Sequence, residues 1–379
     1  MFKHECYKIF TRKSIYIVFL LVVLTMVYAN NKPGDFTLKE DVYEELYQTL
    51  GGPVTEEKIM YVREQMKASD SGEKTSRTFE DRAAGDVYFL VAIAGINKEE
   101  LYERKVTLEA EIAGLSENSY DHKLAEKELR MLNELGESHG FYLISAWQGM
   151  FDFIEPVAGM IFLSTLILLV LTPVFADEYT KRTAGLILAT KHGKRKIVTA
   201  KILAAITYIF IIFIALHVIN LFLQLQKYGG LQGWDAPIQG LHIYNWYYGQ
   251  SPYALDIWQF YMVTLSVQFF ASVAVGIVVL TLSVMTKNAM VTLFISAAFL
   301  GIPFMIQQLG VDRGVFAYVA NLNYGELMKI SSLFDQFKAY NVFGFPMLYP
   351  HLLLVIISVI TAVLIFLTYH RFRNEQVIG

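Results

Sequence analysis

The residues most informative about function lie in a short charged segment between two apolar runs. Asp177 and Glu178 end the first run, and Lys201 opens the second. Between them come Thr183, an apolar turn with the sequence LILAT and the basic stretch KHGKRK. A short amphipathic helix in this segment could dock its apolar side in a groove of a partner, and the flanking cations would hold it at the membrane surface. The pattern predicts either a partner-docking element or a plain basic loop at a membrane surface, and it leaves both open.

Four polar residues within or beside the apolar runs are candidates for a substrate path. Ionisable and polar side chains inside a membrane are costly and commonly functional. The alternative is that such side chains only bridge neighbouring helices, which contributes about 0.6–2 kcal/mol each, and this alternative is favoured for Gln268. The four candidates are Glu155, His217, Asn220 and Gln268.

The sequence contains no familiar catalytic or metal-binding motif. It lacks a Walker A loop, HExxH, paired CxxC and GxSxG, so no phosphate cradle, zinc site or serine-hydrolase site is predicted. The one cysteine, Cys6, excludes an intramolecular disulfide. We therefore predict that the chain is not an enzyme and holds no cofactor or metal of its own.

The elements that carry these residues are apolar runs long enough to cross a bilayer. Of the 379 residues, 54% are hydrophobic, and the mean hydropathy is +0.39. A membrane-spanning helix needs about 20 apolar residues. The sequence predicts an all-α polytopic membrane protein with about six spans, at residues 14–29, 157–175, 199–225, 257–285, 289–307 and 350–368.

The distribution of basic residues predicts the orientation of these spans. Lysine and arginine are enriched in cytosolic loops, and they cluster before the first span, in a loop at residues 177–198 and after the last span. The protein is therefore predicted to lie in the cell membrane with both termini in the cytosol. The first run also fits a cleaved signal peptide. A retained span is favoured because Glu5 and the amphipathic start MFKHECYKIF suit a helix that lies on the membrane. The net charge of -3 does not suggest a nucleic-acid partner.

Residues 30–155 are polar, charged and helical in pattern, which predicts an extracytoplasmic domain between the first two spans. Apolar residues recur at near-heptad spacing on both sides of the turn SENSYD, and such stripes predict a helical hairpin. The two stripes are Leu101, Leu108 and Leu115, then Leu124, Met131 and Leu135. The predicted organisation is an N-terminal amphipathic segment with span one at 1–29, this domain, and spans two to six at 156–379.

These features resemble the permeases of bacterial ABC type-2 exporters. The likeness rests on a glutamate ending span two, a Thr-x-Gly step, an apolar turn, a basic stretch and an Ala-Lys entering span three. The amphipathic N-terminus, the tight turn at Lys287 and the ending YHRFRNEQV add to it. In that family this loop is a coupling helix that rides on the ATP-binding subunit. The resemblance implies partner-binding roles for Glu178, Thr183, Gly185, Leu186, Leu188, Lys194, Arg195 and Lys201.

The resemblance implies an export function with other polypeptides as partners. It implies a separate subunit that binds ATP and magnesium, a second permease copy or a related permease, and a peptide, antimicrobial or other amphipathic cargo. Two departures stand out: family members often have Pro in the stretch that is here 191–193, and many polysaccharide exporters lack the large insert.

The main alternative is a mechanotransmission or signalling subunit, which moves its extracytoplasmic domain without passing cargo and typically has four spans. A transporter driven by an ion gradient would carry an ionisable pair in mid-span, and a membrane enzyme would need convergent catalytic residues. The sequence predicts neither feature.

Overall fold

The computed structural model describes residues 1–31, 36–71, 78–154, 158–181, 183, 185, 193–243, 246–310 and 314–374. Within these ranges the protein is mostly helical, with three short antiparallel strand pairs. The predicted all-α class is confirmed at this level.

Six helices among the described residues are long and apolar enough to cross a membrane, which confirms the predicted number of candidate spans. Their mean hydropathies lie between 1.8 and 2.8. A short helix, α1 (Phe2–Phe10), precedes them. The spans are α2 (Lys13–Asn30), α8 (Ala158–Leu171) continued by α9 (Pro173–Thr180), α10 (Gly193–Tyr228), α11 (Ile257–Thr286), α12 (Ala289–Gln308) and α16 (Tyr349–Arg373).

Helix α11 forms the centre of the helical core. It packs against α8, α10 and α16. In its most apolar 18-residue stretch 67% is buried, compared with 17% for the corresponding stretches of α2 and α12 and 22% for that of α16. The outer helices therefore present wide apolar faces, which suit contact with lipid tails because a membrane does not penalise apolar exposure.

A break between α8 and α9 is stabilised from the central helix. Pro173 has no N–H and starts a new helix at its first position. The hydroxyl of Ser283 accepts from the main-chain N–H groups of Phe175 and Ala176 at 3.2 and 3.1 Å, and it donates to the main-chain oxygen of Thr172 at 2.7 Å. One side chain of α11 therefore satisfies the backbone groups that the break exposes.

A tight turn joins α11 to α12, at the place where the sequence predicts one. Lys287 adopts the left-handed region with φ of 57°, which ends α11. Asn288 caps α12 by accepting from the main-chain N–H groups of Met290 and Val291. Two residues are therefore enough to reverse the chain.

The region between the first two spans, which we call the insert, is helical and contains its own apolar core, whereas its last helix packs into the core of the spans. Its elements are α3 (Phe36–Leu50), β1 (Gly52–Pro53), α4 (Glu56–Ser71), α5 (Phe79–Gly114), α6 (Tyr120–Glu134), β2 (Gly140–Phe141) and α7 (Ser145–Ile154). The core contains Val54 and residues of α3, α4, α5 and β2. The buried residues from these four elements include Leu50, Val62, Val87, Val91 and Phe141. Strands β1 and β2 pair and close this core.

Helices α5 and α6 fold back on each other, with a register that differs from the predicted stripe on α6. The buried residues of α6 are Ala125 and Leu132, with Leu135 just after the helix, whereas Leu124 and Met131 are only half-buried. The packed face of α6 therefore differs from the predicted stripe at two of its three positions, and Ala125, Leu132 and Leu135 share a buried cluster with Leu108 of α5.

The segments after α10 and α12 lie at the same end of the helical core as the insert, which we call the insert end. Gln250 donates to Glu100 at 2.7 Å, and Lys127 donates to the main-chain oxygen of Pro346 at 2.9 Å. The other end, with α1, α9 and the start of α10, is the loop end. The insert-end elements are β3 (His242–Ile243), β4 (Trp246–Tyr247), α13 (Gly314–Asn321), α14 (Tyr324–Lys329), α15 (Ser331–Phe334), β5 (Ala339–Val342) and β6 (Phe345–Leu348).

Candidate functional site

Helix α1 packs against the start of α10 and carries charged side chains into the contact. Its sequence places Glu5 and Ile9 one turn apart, and both are buried. Phe10 makes an edge-to-face contact with Tyr208, with 5.9 Å between the ring centroids. A helix that the sequence predicts at the membrane surface therefore presses its apolar and acidic face onto the helical core.

Lys201, in the third turn of α10, is almost completely buried, with 1% of its surface exposed. Its Nζ donates to Glu5 Oε2 at 2.8 Å, to Glu178 Oε1 at 3.0 Å and to the main-chain oxygen of Val174 at 2.7 Å. An ammonium group has three N–H donors. These bonds use all three, which is the condition for keeping such a charge in a protein interior.

Glu178, near the end of α9, joins α1 to α10. Its Oε1 accepts from Lys201 and from Lys8 Nζ, the latter at 2.8 Å. Its Oε2 accepts from the hydroxyl of Thr183 at 2.6 Å, and the main-chain N–H of Thr183 donates to the main-chain oxygen of Glu178 at 2.9 Å. The glutamate thus also fixes the first turn of the loop that leaves the second span.

We call Glu5, Lys8, Glu178 and Lys201 the ion cluster. Lys8 also donates to Glu5 Oε1 at 3.1 Å. The cluster contains two carboxylates and two ammonium groups, so its formal charge is zero. Buried charges are tolerated when each is paired and hydrogen-bonded, whereas removing one partner costs about 3–5 kcal/mol because a charge is left without compensation. The docked position of α1 therefore depends on all four side chains.

Two groups on α1 have pKa values that reflect this environment. Burial lowers the pKa of Lys8, but hydrogen bonds to Glu178 and Glu5 outweigh that effect, and the net pKa lies above its ordinary value. Burial raises the pKa of the Cys6 thiol, and the Glu5 carboxylate adds to the rise. At neutral pH Lys8 is therefore charged and Cys6 is a protonated thiol.

An open groove of about 650 Å³ runs along the solvent side of the ion cluster. Arg12 lines it and donates to Asp177 Oδ2 and to the main-chain oxygen of Val170, both at 3.2 Å. Lys181 pairs with the same Asp177 oxygen at 3.6 Å. The groove thus offers charges of both signs where the predicted coupling loop begins.

Three of the predicted partner-binding residues meet at this site, namely Glu178, Thr183 and Lys201. The charged atoms of Glu178 and Lys201 bond to each other and to α1, and both side chains are buried. In this conformation they are positioned to hold the loop in place, and they do not present their charges to a partner.

The other predicted partner-binding residues are separated from the ion cluster or are not described. Gly185 is half-buried two residues after Thr183, and Arg195 is exposed at the start of α10. Lys194 lies in the first turn of α10, but its side chain is outside the described part of the structure. Leu186 and Leu188 also lie outside the described residues.

Two predicted pathway residues, His217 and Gln268, are buried and bonded to each other. His217 Nε2 lies 3.0 Å from Gln268 Oε1, and Gln268 Nε2 donates to the main-chain oxygen of Met328 in α14 at 3.0 Å. This chain connects α10, α11 and the short helix α14. The arrangement matches the helix-bridging alternative weighed for Gln268.

Asn220, a third pathway candidate, connects α10 to the insert. Its Nδ2 donates to the main-chain oxygen of Met150 in α7 at 3.0 Å. Gln224, one turn later, donates to Asn220 Oδ1 at 3.3 Å and to Asn30 Oδ1 at 3.2 Å. The fourth candidate, Glu155, lies outside the described residues.

A second buried ion pair lies at the insert end, in the short helix α14. Lys329 Nζ is 2.8 Å from Glu326 Oε1 and donates to Gln307 Oε1 at 2.7 Å. Glu326 also accepts from Gln307 Nε2 at 2.6 Å and from the hydroxyl of Ser332. Every charged atom of this pair is bonded locally, so the pair stabilises the fold of the segment between α12 and α16.

Sequence reasoning missed several members of these clusters. The sequence predicts that Glu5 and Lys8 lie in a helix on the membrane surface, and their i, i+3 spacing is the signal that indicates an ion pair. Their partners Glu178 and Lys201 lie 170 and 196 residues away in the chain, a distance that no local pattern spans. In the apolar segment YGELMK, the i, i+3 pair Glu326 and Lys329 was also a visible signal.

The chain has no detected similarity to known proteins: no protein family, characterised protein or solved structure matches it. Among the described residues, no group of three His, Cys, Asp or Glu side chains is arranged to hold a metal ion.

Proposed function

We propose that this chain is the transmembrane permease subunit of an ATP-driven ABC type-2 exporter in a bacterial plasma membrane, with both termini in the cytosol. The observation that supports the proposal is the ion cluster. It bonds α1, the end of the second span and the start of the third span into one unit at the end that carries the basic loop. Such a unit can transmit a conformational change from a cytosolic ATP-binding subunit to the spans.

In this mechanism a separate subunit binds ATP and magnesium and contacts the loop between α9 and α10. The sequence has no Walker A loop for a nucleotide of its own. Motion of the loop is passed through Glu178 and Lys201 to α10, a single helix of 36 residues. The spans of this chain and of a second permease copy then switch between discrete packings. The resemblance and the large insert favour a peptide or another amphipathic cargo.

The structure changes which residues are expected to touch the motor. Glu178 and Lys201 have internal roles, so a charge reversal there would report on folding as much as on coupling. Arg195 and Lys196 are exposed beside the loop. We assign partner contact to these two residues and to the rim of the groove around Arg12 and Lys181.

One observation favours a second function, that of a mechanotransmission subunit. Helix α10 reaches the insert directly, through the bond from Asn220 to the main-chain oxygen of Met150. Motion at the loop end would therefore reach the insert without any cargo. Six candidate spans, where such subunits typically have four, favour the exporter.

The test is affinity purification of the full chain from its native membrane in mild detergent. We expect an ATP-binding subunit to copurify with the wild-type chain and to be lost from the double variant R195E/K196E. The matched control is Arg63→Glu, which reverses an exposed cation in α4 of the insert and should retain the subunit. Absence of any ATP-binding subunit from the wild-type preparation would refute the proposal. Loss of the subunit from both variants would refute the assignment of the contact to this loop.

A further inference from the structure

A cavity of about 280 Å³ lies at the insert end, beside the last turn of α10. It is lined by residues of α3, α5, α7, the end of α10 and the 3₁₀ turn at residues 238–240. Lys201 and Tyr228 are 27 residues apart on α10, which at 1.5 Å per residue separates the cavity from the ion cluster by about 40 Å. The cavity is therefore distinct from the site that carries the proposed function.

Two carboxylates line this cavity. Glu40 comes from α3 and is half-buried, while Asp152 comes from α7 and is exposed at the rim. Lys227 and Tyr228 interact electrostatically with both of them. Among the described residues, these two carboxylates and Lys227 carry a formal charge of -1, which favours a ligand with a positive charge.

Aromatic rings form part of the same wall. Tyr43, Phe141, Tyr142 and Tyr228 line the cavity. Burial raises the pKa of Tyr142 to about 12, with smaller contributions from Tyr47 and Glu137, so this ring stays a neutral phenol at physiological pH. Neutral aromatic faces attract ammonium and guanidinium groups by about 0.5–2 kcal/mol, and they repel anions.

A buried acceptor without a partner also lies on the wall. Gln239 is 6% exposed, and its Oε1 has no hydrogen-bond partner among the described residues. Its Nε2 donates to the main-chain oxygens of Ser251 and Tyr253, both at 3.0 Å, which fixes the orientation of the amide. An unsatisfied buried acceptor is unfavourable, and a donor on a bound molecule, or a water that it holds, would satisfy it.

We propose that this cavity binds a small organic cation of the alkylammonium type, such as a lysine side chain, with its charged group near Glu40 and Asp152 and its alkyl part against the tyrosine rings. The volume is at the lower limit of small-molecule pockets, so it admits one side chain or a small amine. The proposal is independent of the export function, because it concerns binding to the chain itself.

Titration calorimetry on the purified full chain tests the proposal with a matched pair of probes. N-acetyl-lysine methylamide carries the ammonium group, and N-acetyl-norleucine methylamide has a similar alkyl chain without the charge. We expect the lysine probe to bind at least tenfold more tightly. Butylammonium chloride forms a further arm: affinity equal to that of the lysine probe identifies a free amine as a sufficient ligand, and weaker affinity identifies a peptide side chain.

Two variants locate the site. Asp152→Asn should weaken the lysine probe about tenfold, whereas Asp235→Asn, which removes an exposed carboxylate from the neighbouring loop outside the cavity lining, should leave it unchanged. Glu40→Gln supplies an independent second variant if Asp152→Asn does not fold. Equal affinity for the two peptide probes, or equal loss in Asp152→Asn and Asp235→Asn, would overturn the proposal.

Discussion

Helix α10 is held by opposite kinds of chemistry at its two ends. At the loop end Lys201 bonds to the carboxylates of Glu5 and Glu178 in a buried cluster. At the insert end Asn220 and Gln224 make neutral amide bonds to α7 and to Asn30. Both ends are buried and bonded, so the difference lies in the charge of the groups.

The difference predicts how each end responds to a change. A charge in a low-dielectric interior interacts strongly with its partners and is costly when one is lost. A neutral amide bond contributes only about 0.5–1.5 kcal/mol net. The loop end should therefore move as one unit or come apart as a whole, while the insert end can exchange individual bonds during a conformational change.

The largest effect is expected for Lys201→Met. It leaves Glu5 and Glu178 buried with only Lys8 to compensate them, and it should lower the free energy of unfolding by about 3–5 kcal/mol. It should also release α1, so that a maleimide in mild detergent labels the single cysteine, Cys6, at least several-fold faster. Thermal unfolding and the labelling rate measure the two effects.

A double variant sharpens this prediction. Adding Glu5→Gln to Lys201→Met removes one negative charge and restores neutrality, with Lys8 opposite Glu178. The double variant should be more stable than Lys201→Met alone, which is a coupling that independent sites do not show. Additive losses would contradict the description of these residues as one cluster.

A smaller effect is expected at the insert end for Asn220→Leu. It removes the bond to the main-chain oxygen of Met150 and one acceptor of Gln224, and it should cost about 1 kcal/mol. The labelling rate of Cys6 should not change, because α1 is attached at the other end of α10. Faster labelling of Cys6 in this variant would mean that the two ends are not held independently.

Acidification should weaken the insert end by a modest amount through His139. The Nε2 atom of His139 lies 2.6 Å from the main-chain oxygen of Gly249, and this contact joins the insert to the loop after α10. Burial lowers its pKa, against an opposing effect of the Gly249 bond, so the folded protein binds a proton less readily than the unfolded chain. The contribution of neutral His139 to the free energy of unfolding is therefore complete above about pH 6.5 and is lost as the pH falls. Unfolding temperatures at pH 8 and pH 5.5 should differ less in His139→Gln than in the wild-type chain.

The smallest effect is expected for Asp177→Asn, beside the ion cluster. Asp177 and its partner Arg12 are partly exposed, with 36% and 23% of their side-chain surfaces accessible. Exposed pairs contribute about 0–1 kcal/mol, so both stability and Cys6 labelling should stay close to wild-type values. A large loss here would mean that proximity to the cluster, and not burial of the charge, decides the cost.

The sequence by itself determined the helical class, the number of candidate spans and several local details. Runs of apolar residues longer than about 18–20 fix candidate spans without reference to the rest of the chain. The turn at Lys287 follows equally from local backbone preferences, whereas the break before Pro173 interrupts what the sequence predicts as one continuous span. Spans and turns of this kind can be predicted from the sequence because they depend on residues that are close together in the chain.

Tertiary structure alone decided which charges meet. Glu5 and Lys8 bond to Lys201 and Glu178 because α1 folds back onto the loop end, and α6 buries Ala125 and Leu132 where the sequence pattern predicts Leu124 and Met131. These outcomes depend on the three-dimensional approach of segments far apart in the chain. The sequence shows Lys201 only as a basic residue at the start of an apolar run, and only the fold makes it a buried, fully bonded cation.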